Sequence, residues 1–233
     1  MHKLTASKKK AILYKIMGTG KFILWTVALA VFLVLQVLTL DDVFIVVWNS
    51  LSRYWWFVAG VALTFLVDKY TSKNNSILKT FHHETTHLFV GLITFRKILN
   101  FKVDIFGGLV ASAGKRWMHE VDALAPYCLP LAAYVVMFFG FFFANDMTHI
   151  LTIMLGIAYG FHLLCIKEDF GSWKQMGTHQ TDINQFPLLF SYMYILCFWL
   201  FNTAIILLSI RIDIYEAYKY ILGCYKETIV SFF

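Results

Sequence analysis

The sequence predicts an all-α polytopic membrane protein of about five to six membrane helices, with a small β-hairpin-like or strand-like loop inserted among them. Three observations lead there. Apolar stretches close to the ~20 residues that cross a bilayer recur along the chain. Only 15% of the 233 residues are charged, where a soluble domain carries about a quarter. Aromatics reach 18%, with 23 Phe, which suits lipid-facing surface and interfacial belts. With a mean hydropathy of +0.66 and no long polar insert, a single membrane-embedded domain over 1–233 is expected.

The elements follow in order. Residues 1–18 form a basic tail, with Lys3, Lys8, Lys9, Lys10 and Lys15 and no acid. Such a run can bind nucleic acid, but an apolar segment follows almost at once. It therefore reads as a positive-inside signal, and no nucleic-acid partner is expected. Segment 22–40 is too long for a secretory h-region and lacks an A-x-A-like exit before Asp41-Asp42, so it reads as an uncleaved anchor. Segment 43–67 is a second span, interrupted by Asn49, Ser50, Ser52 and Arg53 and solid only from Tyr54. Polar loop 68–76 supplies a helix start at Asn75 or Ser76, and the next helix runs over 77–95.

Between Arg96 and Glu120 the pattern changes. Short β-prone runs at 102–106 and 109–111 flank Gly107-Gly108, a turn signal, so a strand pair is expected near an interface. Apolar segments 121–144, 149–166 and 186–209 follow, the first with Pro126 and Pro130 as kink formers. Over 209–233, Ile210, Ile214, Tyr218, Ile221, Leu222 and Tyr225 recur at near-helical spacing among charges, which predicts an amphipathic helix lying on the membrane surface. Cys128, Cys165, Cys197 and Cys224 form neither a disulfide framework nor a C-x-x-C, and read as small buried hydrophobes.

Within the helix 77–95, His83-Glu84-Thr85-Thr86-His87 spells H-E-x-x-H. Positions i and i+4 lie on one helix face, so His83 and His87 can present two imidazoles to one Zn²⁺. Glu84 is then placed to act as general base on a water that the metal acidifies, without binding the metal itself. A His-Glu-His cluster in an apolar segment costs roughly 2.5–3.5 kcal/mol per ionisable group, and a metal ion with its partners compensates. His82 points about 100° away from His83, which favours a role beside the ligands over ligation.

A catalytic zinc site needs a third protein ligand. The remaining candidates are His119 and Glu120 in the charged loop, His149 at a helix start, His162 in an apolar segment, and His179 and Asp182 in GTHQTDINQFP. Asp182 stands just before the last apolar segment, where a plain helix N-cap explains it equally well. The runs HETTHLFVGLITFRKI, GGLVASAG and ALAPYCLPL together resemble the site-2 protease family of intramembrane zinc metalloproteases, in its compact bacterial branch. That resemblance, over about 76–186, implies zinc ligation by His83 and His87, Glu84 as base, and Asp182 as the late third ligand. The chain departs from the family pattern with Thr85-Thr86 between the histidines and no glycine after Asp182, which leaves His179 as fallback ligand and His82 and His162 as neighbours of the site.

The expected function is zinc-dependent hydrolysis of peptide bonds in membrane-associated substrates, with 76–187 as catalytic core and the bilayer and a peptide or membrane-protein substrate as partners. Gly107, Gly108 and Leu109 are candidate substrate contacts, since a strand-like loop can hold an extended peptide by strand addition. The alternative is a metal-binding transporter or sensor without hydrolysis, against which the scarcity of ionisable residues in the spans speaks. With the basic tail cytoplasmic, a full crossing by 77–95 would put Arg96, Lys97, Lys102, Lys115 and Arg116 outside and Asp182 at the face opposite His83. A segment that turns back avoids both. The expectation is therefore a bacterial cytoplasmic-membrane protein whose site opens toward the cytoplasm.

Overall fold

Apolar helices dominate the computed structural model, which describes residues 6–71, 76–104, 107–113, 119–143, 149–172 and 182–231. The elements are α1 (Ala6–Leu38), α2 (Leu40–Trp48), α3 (Leu51–Thr71), α4 (Ser76–Ile93), β1 (Lys97–Asp104), β2 (Gly107–Ala113), α5 (His119–Cys128), α6 (Leu131–Phe143), α7 (His149–Ser172), a 3₁₀ turn (Asp182–Gln185), α8 (Leu188–Ser209) and α9 (Ile214–Ser231). Among the described residues, Gly20–Trp48, His149–Glu168 and Leu188–Ser209 are long and apolar enough to cross a membrane. The bent pair His119–Cys128 and Leu131–Gly140 makes a fourth if it is one span.

Several boundaries differ from the sequence expectation. The first long apolar unit does not end at Asp41-Asp42. Those carboxylates sit in the first turn of α2, where a helix N-terminus favours negative charge. The helix breaks at Thr39, between α1 and α2, and again at Asn49-Ser50, so the long helix expected over 43–67 begins at Leu51. α7 runs on to Ser172, past the apolar limit at 166. Gly107-Gly108 is not the turn of the hairpin: both residues belong to β2, with Gly107 opposite Asp104 and Gly108 opposite Val103. α9 does not merely lie on a surface. Ala217, Ile221 and Tyr225 are buried, with Tyr225 edge-on to Phe32 of α1, while Leu222 is exposed.

Proline and glycine shape the bundle. Pro126 within α5 and Pro130 at its end bring α5 and α6 to 75°. The Cys128 carbonyl at this break accepts the Asn202 side-chain amide of α8 at 3.0 Å. Where α3 crosses α7, a Cβ on Gly60 would lie 2.3 Å from the Ile153 carbonyl oxygen, and one on Gly156 2.1 Å from that of Phe57. Only glycine lets the two backbones approach so closely. α7 and α8 are tied by the Tyr159 and Thr203 hydroxyls, 2.7 Å apart. Toward Leu163 and Leu196 an apolar cavity of about 360 Å³ separates them, with Tyr127 and Trp199 in its wall.

The chain reverses after α4. Phe95 takes φ 55°, the left-handed region, and the Arg96 amide donates to the Gly91 carbonyl at 2.8 Å while that of Phe95 reaches Leu92 at 3.1 Å. This is a Schellman stop with phenylalanine in the usual glycine position. β1 then returns along α4, with Ile98 against Gly91 and Phe101 edge-on to Phe81. Phe95 is 95% exposed, so its ring contributes little packing. Phe95→Gly is expected to raise stability by about 1 kcal/mol, read as a higher midpoint of thermal unfolding.

Candidate metal centre

Alternate faces of α4 have separate tasks. Thr86 and Val90 face the bundle, and the fully buried Thr86 hydroxyl donates to the His82 carbonyl at 2.9 Å. His82 is buried toward α7, its ring 5.6 Å from Phe161 and 5.8 Å from His162. His83 and His87 project the other way, toward α5 and the 3₁₀ turn. Their Nε2 atoms are 3.2 Å apart, and Asp182 Oδ2 lies 3.4 Å from the first and 3.2 Å from the second.

The tautomer of His87 follows from its other nitrogen. Nδ1 is 2.9 Å from the Asp122 backbone carbonyl, which can only accept, so Nδ1 carries a proton. Nε2 is thereby free to offer its lone pair to the centre. Ligand atoms of His83, His87 and Asp182 all lie within 4.8 Å of one another. Two imidazole nitrogens and a carboxylate oxygen at such distances require positive charge among them, as protons or as a shared cation. Two imidazole nitrogens and one carboxylate oxygen fit the three protein ligands of a catalytic zinc ion, which leaves one position free. Burial pushes the Asp182 carboxyl up, but the hydrogen bonds and charge of His83 and His87 outweigh it and hold the group well below the usual carboxylate range.

Glu84 has its own seat. A Cβ on Gly108 would lie 2.2 Å from its Cγ and 2.6 Å from its Oε1, so the carboxylate rests on β2 only because residue 108 has no side chain. The Val110 amide donates to it. No family model, curated protein or solved structure matches the chain.

Asp182 is not the N-cap of α8. That position is Pro187, without a side-chain cap, and Asp182 precedes it by a full 3₁₀ turn. His119 is removed from the centre and lies 3.0 Å from Gln185 Oε1, while Glu120 pairs with Lys21 at 2.6 Å. His149 begins α7 beside Trp56, 5.1 Å between rings. His179 lies outside the described residues. Gly108 serves Glu84, and Leu109 is exposed beside it.

Sequence reasoning missed Asp122. It is 7% exposed, its Oδ1 is 3.6 Å from His87 Nδ1, and its Oδ2 is 3.4 Å from Arg96 Nε and 3.3 Å from the Ser112 hydroxyl. A lone carboxylate at the start of an apolar segment was the available signal.

Proposed function

We propose that the chain is a zinc-dependent intramembrane endopeptidase, similar to site-2 proteases, that hydrolyses peptide bonds of membrane-associated substrates. The observation that carries this reading is the convergence of two imidazoles and one carboxylate beside a second, separately seated carboxylate. A zinc ion on this set would supply Lewis acidity, bringing a water's pKa toward neutrality and drawing charge from the substrate carbonyl. His83, His87 and Asp182 would hold it, and the Asp122 backbone carbonyl keeps His87 in the tautomer that offers Nε2. Glu84 accepts the proton of the attacking water and returns it to the leaving amine. Its seat on Gly108 and the Val110 amide keep its carboxylate out of the ligand set. The adjoining hairpin suits an extended peptide, as strand addition requires. The apolar cavity beside Tyr127, whose ring is 5.6 Å from His83, suits a bulky apolar side chain of that peptide.

The proposed topology has five to six membrane helices in a bacterial cytoplasmic membrane, with α3 added to the longer spans and α4 entering the membrane and turning back. The basic tail and the opening of the site are cytoplasmic in this proposal; the turn at Phe95 sends β1 back along α4, Phe101 reaching Phe81, so that Lys102 heads toward the end from which α4 starts. A reporter fused after Lys97 is expected to score cytoplasmic; an external score rejects this orientation.

The decisive measurement is zinc content of the purified protein. Wild type is expected to hold about one zinc per chain, and Asp182→Ala to lose at least about tenfold in affinity. Wild type free of zinc after purification with metal present would overturn the reading. Unchanged zinc in Asp182→Ala would move the third-ligand role elsewhere, to His179 first.

A further inference from the structure

We infer that the first turn of α5 positions the ligand triad, holding Asp182 through a His119–Gln185 relay and His87 through Asp122. The inference rests on the reading of the triad as a metal site and deepens it. Gln185 Nε2 donates to Asp182 Oδ1 at 2.8 Å. An ionised carboxylate only accepts, so the amide must turn its nitrogen inward and its Oε1 outward. His119 Nε2, 3.0 Å from that Oε1, is then the donor. The His119 ring is in turn edge-on to Phe186, 5.5 Å between centroids. With Oδ1 engaged, the carboxylate cannot rotate, and Oδ2 is the oxygen left facing His83 and His87.

Asp122 lies one helical turn beyond His119 and does the equivalent for the other ligand. Its backbone carbonyl accepts a hydrogen bond from His87 Nδ1–H, while its carboxylate is anchored by Arg96 and Ser112. Arg96 Nε also donates to the Ser112 hydroxyl at 3.0 Å, which closes the network onto β2. Between the two positioning residues, Glu120 ties the turn to Lys21 of α1. Ligands from α4 and from the 3₁₀ turn, 95 residues apart between His87 and Asp182, thus share one reference element. Loss of a group that holds a metal ligand in place commonly costs about 10- to 100-fold in affinity.

The test uses full-length purified protein, zinc affinity by chelator competition, and the visible spectrum of the cobalt(II)-loaded protein. His119→Phe keeps the ring against Phe186 and removes the donor, whereas His119→Gln restores an N–H. Gln185→Met removes the relay at similar size. The expected result is zinc binding weakened about tenfold or more in His119→Phe and Gln185→Met, with altered cobalt bands and recovery in His119→Gln. Asp182→Ala serves as the reference for loss of a ligand. If Asp182→Ala loses zinc while His119→Phe and Gln185→Met keep wild-type affinity and spectrum, the relay is overturned and the metal site stands. If His119→Gln is as weak as His119→Phe, the donor role is overturned. If wild type binds neither zinc nor cobalt, both the relay and the functional reading fall.

Discussion

Glu84→Gln is expected to abolish peptide hydrolysis and leave zinc in place. The amide matches the carboxylate in size, so the contact with Gly108 survives, and its oxygen can still accept the Val110 amide. What disappears is the capacity to take a proton. A positioned general base contributes about 10²–10⁴-fold, and here the same group must also deliver the proton to the leaving amine. Because Glu84 lies outside the ligand set, zinc stoichiometry should equal that of wild type. Cleavage of an apolar reporter peptide in detergent or liposomes, assayed beside metal content, checks both halves. Full activity in the variant would end the mechanism.

Gly108→Ala is expected to be nearly as damaging, although it adds one methyl to a residue with no reactive group. That methyl would overlap Glu84 Cγ at 2.2 Å, well inside contact distance. Two outcomes are open to the structure: Glu84 rotates away or β2 withdraws from α4. Either moves the carboxylate by an ångström or more, and a misplacement of that order costs about 10²-fold in rate. The ligands are untouched, so zinc affinity is the control. A Gly108→Ala protein with wild-type turnover would show that the seat is dispensable.

The two predictions also mark what was legible in the sequence. His83, Glu84 and His87 were readable because helical periodicity alone puts i and i+4 on one face. The hairpin was readable as well, from its β-prone runs. The seat of Glu84 was not, since nothing in Gly107-Gly108 says that the strand will fold back along α4. That depends on Phe95 accepting a left-handed conformation that sequence patterns assign to glycine. Asp182 was ambiguous on spacing, because an aspartate before a helix is first of all a cap; in the structure Pro187 takes the cap position and Asp182 stands beside His83 and His87. Asp122 and Gln185 were missed for a common reason. Their partners lie at sequence distances of 35 for the Asp122–His87 contact and 66 for Gln185–His119, beyond any local pattern. Near Asp41-Asp42 the charges do mark a break, at Thr39, but they open the short apolar helix α2 and do not end the apolar unit, which continues to Trp48.

The glycine crossing of α3 and α7 has a mechanical consequence. Where side chains separate two helices, each can shift by repacking them. At Gly60 and Gly156 nothing lies between the backbones to be repacked, so the two helices translate as one stiff strut. α8 instead meets α1 through side chains, as in the hydrogen bond from Gln36 to the Cys197 carbonyl at 2.8 Å. The cleft beside Tyr127 therefore has one rigid jaw and one compliant jaw. Any widening to admit a large guest falls on α8, the jaw that follows Asp182 in the chain.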